Sequence, residues 1–266
     1  MKVAAVQMVS APEWEANRAA AERLVREAAA AGAGLVLLPE YFCLIGHRDS
    51  DKLALAEDAG QGPMQGFLSG LAAELGLWLI GGTLPVRGRA EGRVLNRSLV
   101  YGPDGREAGH YDKVHLFAFD NGRESYDEGR VLEAGSEPVA VQAGPLRVGL
   151  SVCYDLRFPE FYRALMRPPC DVLCVPAAFT HTTGEAHWEL LLRARAVENQ
   201  CYVLAAAQGG THANGRRTWG HSMVVGPWGE IVDQLPEGEG FVMAEVDAQR
   251  LNAVRTQLPA LRHRKL

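Results

Sequence analysis

GLVLLPE at residues 34–40 is a short, unbroken apolar run closed by a proline and a carboxylate. A strand half open to water alternates apolar and polar side chains; an uninterrupted run of this length is the pattern of a strand covered on both faces. Its surroundings agree. Residues 13–31 are rich in Ala, Glu and Arg, carry apolar residues at helical spacing, and end at the glycines at 32 and 34. Residues 3–9 read as a strand ahead of that helix, residues 63–75 as a second helix, and residues 77–84 as another strand. Alternating strand and helix predicts a layered α/β domain.

The middle of the chain changes character. Residues 94–101 and 106–112 flank the turn GPDG and read as a hairpin. PVAVQAGPLRVGLSVCYD at 138–155 holds two strands around Ala143–Pro145, followed by a helix over about 157–167 and the strand DVLCVPA. A long helix over about 185–199, a strand at 201–208, a hairpin about GPWG at 226–229, a strand near 240–246 and a short helix near 247–256 complete the chain. Parallel-type units and hairpins together predict mixed sheets. No Pro/Ser-rich linker, low-complexity tract or repeat divides residues 1–266, so a single domain is expected.

The 266 residues carry 27 Lys plus Arg against 32 Asp plus Glu, a net charge of −5, and are 47% apolar. That apolar content excludes a disordered chain. An acidic pI of about 5.9 argues against a nucleic-acid or anionic-membrane partner. No apolar run approaches the roughly 18 residues of a membrane span. The opening MKVAAVQMVS lacks the apolar core and cleavage site of a secretory signal, so the chain is expected to begin at Met1 and to be cytoplasmic. Cysteines at 43, 153, 170, 174 and 201 are odd in number and read as small buried residues rather than a disulfide framework. The C-x3-C spacing of Cys170 and Cys174 lacks a second pair at a zinc-like interval, so no metal is expected.

Three apolar strands end in residues able to do chemistry: LVLLPE at Glu40, VGLSVCYD at Cys153, and VLCVPAAF at Pro176 and small residues. Ligands of α/β sheets collect at the carboxyl ends of strands, which would put Glu40 and Cys153 on one rim if their strands are parallel neighbours. Lys113, in YDKVHLF, ends the hairpin strand. Cys, Glu and Lys together suit amide cleavage. A thiol is the strongest nucleophile near neutral pH once a base takes its proton. A carboxylate can take that proton and return it to the leaving amine. An ammonium beside a backbone N–H, here that of Tyr154, can stabilise the oxyanion.

On LLPEYF at 37–42, DKVHLF at 112–117, CYDLRFPE at 153–160, PAAFTHTTGEAHWELLLRARAVENQCYV at 176–203 and GHSMVVGPWG at 220–229, the sequence resembles the nitrilase superfamily of carbon–nitrogen hydrolases over nearly its full length. The resemblance implies a four-layer α-β-β-α sandwich with two mixed sheets, assembled as a homodimer or larger homo-oligomer. It places the family's catalytic Glu, Lys and Cys on Glu40, Lys113 and Cys153, and a second glutamate on Glu128 in SYDEGRVLEAG. It implies a thioester intermediate and no organic cofactor. The TTGEAHW stretch, the AAAQ run and CYDLRFPE are most similar to the branch acting on deaminated glutathione, which would yield 2-oxoglutarate and cysteinylglycine. Omega-amidase action on 2-oxoglutaramate and hydrolysis of N-carbamoyl compounds are the alternatives.

Apart from the resemblance, each candidate has an ordinary structural reading. Cys153 could be a buried strand cysteine, Glu40 a strand-end ion-pair partner, Lys113 a solvated lysine, and Glu128 a surface carboxylate. Arg157 could pair with Glu160 or Asp155 at a helix start, or clamp a substrate carboxylate with two parallel hydrogen bonds. Thr183 and His187 either contact substrate or order the loop before the long helix. His47 and Arg48 are polar loop residues that could meet the far end of a longer substrate. Arg193 and Arg195 are expected to pair with acids on the long helix or to lie at a dimer interface, and the tail RHRK at 262–265 to be solvated or packed on a partner.

Overall fold

The structure, a computed structural model, describes residues 1–265. Its first sheet runs in the order Gly240–Glu245, Lys2–Gln7, Leu35–Leu37, Trp78–Ile80, Val94–Tyr101, Leu84–Arg87, and Glu107–Asp112 and Leu132–Glu133 also pair with Val94–Tyr101. The second runs Val139–Ala143, Leu146–Leu150, Val172–Ala177, Tyr202–Ala207, Ser222–Val225, Ile231–Leu235. Both sheets have parallel centres and antiparallel margins, except that the short strand Leu132–Glu133 pairs in parallel with Val94–Tyr101.

Side-chain alternation explains the layers. In the first sheet Val3, Ala5, Leu35 and Leu37 are buried in one core with Val148, Val172, Leu204 and Val224 of the second. Their neighbours Ala4, Val6, Val36 and Leu38 point the other way, against Leu24, Val25 and Ala28 of helix Trp14–Ala30 and Leu68 and Leu71 of helix Pro63–Leu75. Trp188, Leu192 and Ala196 of helix His181–Asn199 cover the outer face of the second sheet. The result is the expected α-β-β-α sandwich. Strands covered on both faces need apolar residues at every position, and Val172–Ala177 and Tyr202–Ala207 are buried throughout.

Element boundaries differ from the sequence reading where local chemistry intervenes. The helix expected over 157–167 is two pieces, a 3₁₀ turn at Cys153–Arg157 and a helix at Pro159–Ala164. Pro159 pushes the residue before it out of helical geometry, and Phe158 sits at φ −111°, ψ 89°. The long helix starts at His181 instead of 185, because the Thr180 side chain caps its first turn by accepting from the Thr183 N–H. Two small hairpins, Ala118–Asp120 with Ser125–Asp127 and Gly209–Thr211 with Arg217–Trp219, were not foreseen. Among the described residues no helix is long and apolar enough to cross a membrane.

Candidate active site

Glu40 follows strand Leu35–Leu37 of the first sheet, and Cys153 follows strand Leu146–Leu150 of the second. The condition for a shared rim, parallel neighbouring strands, is therefore not met. The face-to-face packing of the two sheets brings them together. Cys153 also lies beyond its strand, opening the 3₁₀ turn at φ +49°. Positive φ costs a non-glycine residue roughly 1–3 kcal/mol, and here it lifts the side chain out of the strand's alternation. Tyr41, directly after Glu40, also has positive φ, +55°. That sharp exit passes Gly82, where a Cβ would lie 2.0 Å from the Pro39 carbonyl oxygen, so only glycine fits.

Lys113 is fully buried, which overturns the solvated reading. Its ammonium donates to Glu40 Oε1 at 2.8 Å and Glu128 Oε2 at 2.7 Å. Glu40 also accepts from Asn96 Nδ2 at 2.9 Å and from the Ala178 N–H at 2.9 Å. Glu128, only 13% exposed at its side chain, accepts further from the Tyr41 hydroxyl and the Phe117 N–H, both at 2.7 Å. Every carboxylate oxygen in this cluster has a donor, as buried charges require.

Burial disfavours the Lys113 ammonium, but the charges of Glu128 and Glu40 outweigh it and hold its pKa well above the usual lysine value. Burial works against the Glu128 carboxylate too, and Lys113 more than compensates, lowering its pKa. Burial and then the Glu40 charge push the Cys153 thiol far up, with Lys113 opposing. The resting sulfur is therefore a thiol. Burial likewise raises Cys170 to about 11 and Cys43 to about 12. Protonation state does not single out Cys153; its neighbours do.

Glu40, Glu128, Cys153, Tyr154, Arg157 and Thr183 line one narrow slot, with room of about 10 Å³, roughly one water. Arg157 does not form the ion pair offered by the sequence. Its guanidinium lies 5.4 Å from the Phe179 ring centroid and 5.8 Å from that of Tyr154, and meets His187 Nδ1 at 3.2 Å. Asp155 is engaged elsewhere: it accepts from the Tyr111 hydroxyl at 2.7 Å, the Val152 N–H at 2.8 Å, the His115 N–H at 3.1 Å, and His115 Nδ1 at 2.7 Å. Buried Asp155 thus staples DKVHLF to the turn carrying Cys153, and the His115 ring stacks on Phe158 at 3.7 Å. Thr183 both lines the slot and bonds Thr180, hydroxyl to hydroxyl, at 2.8 Å. His47 and Arg48 are exposed and line an adjoining cavity of about 470 Å³. Arg195 is buried against the Leu156 carbonyl and Glu198, and Arg193 pairs with Glu189, so both arginines do pair with acids.

Sequence reasoning missed Asn96, Tyr41, Asp155 and Arg216. Asp155 stood inside a quoted motif, and its mid-motif carboxylate was the available signal. Arg216 lies in a polar loop with nothing local to mark it.

Two facing mixed sheets between helical layers, with Cys, Glu and Lys meeting at the seam, define an amide-bond hydrolase of the nitrilase type. The chain belongs to the carbon–nitrogen hydrolase family, whose sequence model matches residues 2–256. The deaminated glutathione amidase of Synechocystis is 41% identical over 98% of this chain and 97% of its own length. The Homo sapiens enzyme of the same name is 40% identical over 99% of this chain and 82% of its own. Among solved structures, Caenorhabditis elegans NitFhit superposes with a TM-score of 0.92 at 37% identity, covering 99% of this chain and 65% of that one. Saccharomyces cerevisiae Nit3, of the nitrilase superfamily, gives 0.87 at 31% identity, covering 97% and 94%. The chain is a hydrolase acting on carbon–nitrogen amide bonds.

Proposed function

We propose that this amidase hydrolyses deaminated glutathione to 2-oxoglutarate and cysteinylglycine, a metabolite-repair reaction, using Cys153 as nucleophile. The observation that carries the chemistry is the buried Lys113 ammonium bridging Glu40 and Glu128 beside that thiol. Glu40 takes the thiol proton as sulfur attacks the amide carbonyl carbon. Lys113 and the Tyr154 N–H stabilise the oxyanion. Collapse breaks the C–N bond, the proton on Glu40 passes to the leaving nitrogen, and a thioester remains. Water then gives a proton to Glu40 and attacks the thioester, and the expelled sulfur recovers that proton. Water and amide are consumed; acid and amine are released. Glu128 orients Lys113.

The relatives' shared name supports the substrate. Arg157, with His187 and Thr183 beside it, is suited to hold the α-keto carboxylate. A side-by-side assay of deaminated glutathione and 2-oxoglutaramate tests the reading, and mass spectrometry of the quenched enzyme looks for the thioester on Cys153. Higher kcat/KM on 2-oxoglutaramate would move the protein to an omega-amidase.

The remaining features of this reading are a single domain over 1–266, a cytoplasmic location suited to five unbonded cysteines, and a homodimer. The homodimer is supported by Leu190, Val197 and Trp228, large apolar side chains exposed together along the outer helix and the adjoining turn.

A further inference from the structure

We infer that the cavity beside the catalytic slot is the subsite for the amine half of the substrate, and that Arg216 selects amines ending in a carboxylate. The inference rests on the amidase reading above and deepens it. The adjoining cavity holds about 470 Å³, room for a peptide-sized leaving group. Arg216 lines both. Its Nη2 donates to the Ala178 carbonyl at 3.0 Å, and its guanidinium lies 5.1 Å from the Tyr126 ring centroid. Its Nε is buried and has no partner. Buried N–H groups of a cation are seldom left unpaired, and a guanidinium edge matches a carboxylate in two parallel bonds.

The position suits the leaving group. Residue Ala178 donates its N–H to Glu40 and accepts from Arg216 through its carbonyl. Arg216, on the cavity wall, is therefore linked through a single residue to Glu40, the carboxyl that returns a proton to the departing nitrogen. Its charge suits an anion. His47, Arg48, Lys52 and Arg216 line it against Asp49, and Asp49 is engaged by Lys52 at 3.2 Å. Lys52 in turn lies over the Tyr41 ring at 4.3 Å. An amine with a short peptide tail and a terminal carboxylate fits such a site.

The test compares wild type, Arg216→Met and Arg216→Lys on three amides sharing one acyl half: 2-oxoglutaramate, deaminated glutathione, and deaminated glutathione carrying a C-terminal carboxamide. Wild type should prefer the free carboxylate over the carboxamide by about 10- to 100-fold in kcat/KM, the range of a charged hydrogen bond. Arg216→Met should abolish that preference, mainly through KM, and Arg216→Lys should restore part of it. An unchanged preference in Arg216→Met, or an equal loss on all three amides, overturns the inference and leaves the amidase reading standing. Wild type that cleaves 2-oxoglutaramate alone overturns the substrate reading instead. Inhibition of 2-oxoglutaramate turnover by cysteinylglycine then decides for Arg216. An inhibition constant about tenfold weaker in Arg216→Met supports the subsite, and equal or absent inhibition in both proteins removes it.

Discussion

Cys153 is a buried thiol whose proton is held tightly, so in the proposed mechanism its reactivity comes from the carboxylate next to it. Cys153→Ala keeps a Cβ at the same positive φ and is expected to fold, at a cost of roughly 1–2 kcal/mol for the small void. Turnover should vanish; residual activity above about a tenth of wild type, beyond what losing a nucleophile allows, would remove Cys153 from the chemistry. The proposed mechanism starts from a protonated Cys153, so kcat/KM should stay level through about pH 8.5, where an ordinary cysteine is half ionised. A descending limb centred there would mean that Cys153 titrates like a free thiol. Lys113→Met should be inactive and also less stable, by roughly 3–5 kcal/mol, because it leaves two buried carboxylates without their cation. Adding Glu128→Gln to that variant should raise its melting temperature, and a further fall would contradict the bridging role. On the acid side, Glu128 has a folded pKa below its unfolded value. Its contribution is present above about pH 4.3 and is lost as pH falls through the folded value.

Two elements meet at Asp155, the strand end bearing Lys113 and the turn bearing Cys153, so this carboxylate fixes one proposed catalytic group relative to the other. Asparagine offers one acceptor oxygen and no charge. Asp155→Asn should therefore lower both melting temperature and kcat, each lost charged bond being worth about 1.5–3 kcal/mol. Wild-type values in both measurements would mean that the staple does not position the site. The legibility of these elements in the sequence varied for physical reasons. GLVLLPE and DVLCVPA read as covered strands because burial on both faces demands unbroken apolar runs. GPDG marked its hairpin because turn geometry selects residues locally. The 3₁₀ turn at Cys153 was not legible, since its conformation is imposed by Asp155 and Pro159 together. The pairing of Gly240–Glu245 with Lys2–Gln7 spans almost the whole chain, and no local pattern encodes it.

At the level of the whole molecule, the site exists because two sheets pack face to face. Glu40 and Lys113 come from the first sheet and Cys153 from the second. Without the resemblance the sequence offered a Glu, a Lys and a Cys far apart in the chain, and Glu128 was visible only through it. The outer helix supplies a further prediction. Leu190 is 68% exposed and Trp228 55% exposed, which a monomer has little reason to present side by side. Light scattering should give the mass of a dimer for wild type, and Leu190→Asp should shift it toward a monomer. A monomeric wild type would remove the proposed interface.

The buried trio of Glu40, Lys113 and Glu128 has one more consequence. Two carboxylates and one ammonium give this trio a net charge of −1 before any reaction. In the proposed reaction the thiol proton moves to Glu40 and the total for trio and thiol together does not change, because the negative charge shifts from oxygen to sulfur. The same holds as it passes to the oxyanion and back. The proposed chemistry relocates a charge instead of creating one, so the solvation cost of a new buried ion does not arise at any step. The chemical step should accordingly be almost indifferent to added salt, while capture of an anionic substrate, which depends on screened attraction across water, should weaken as salt rises.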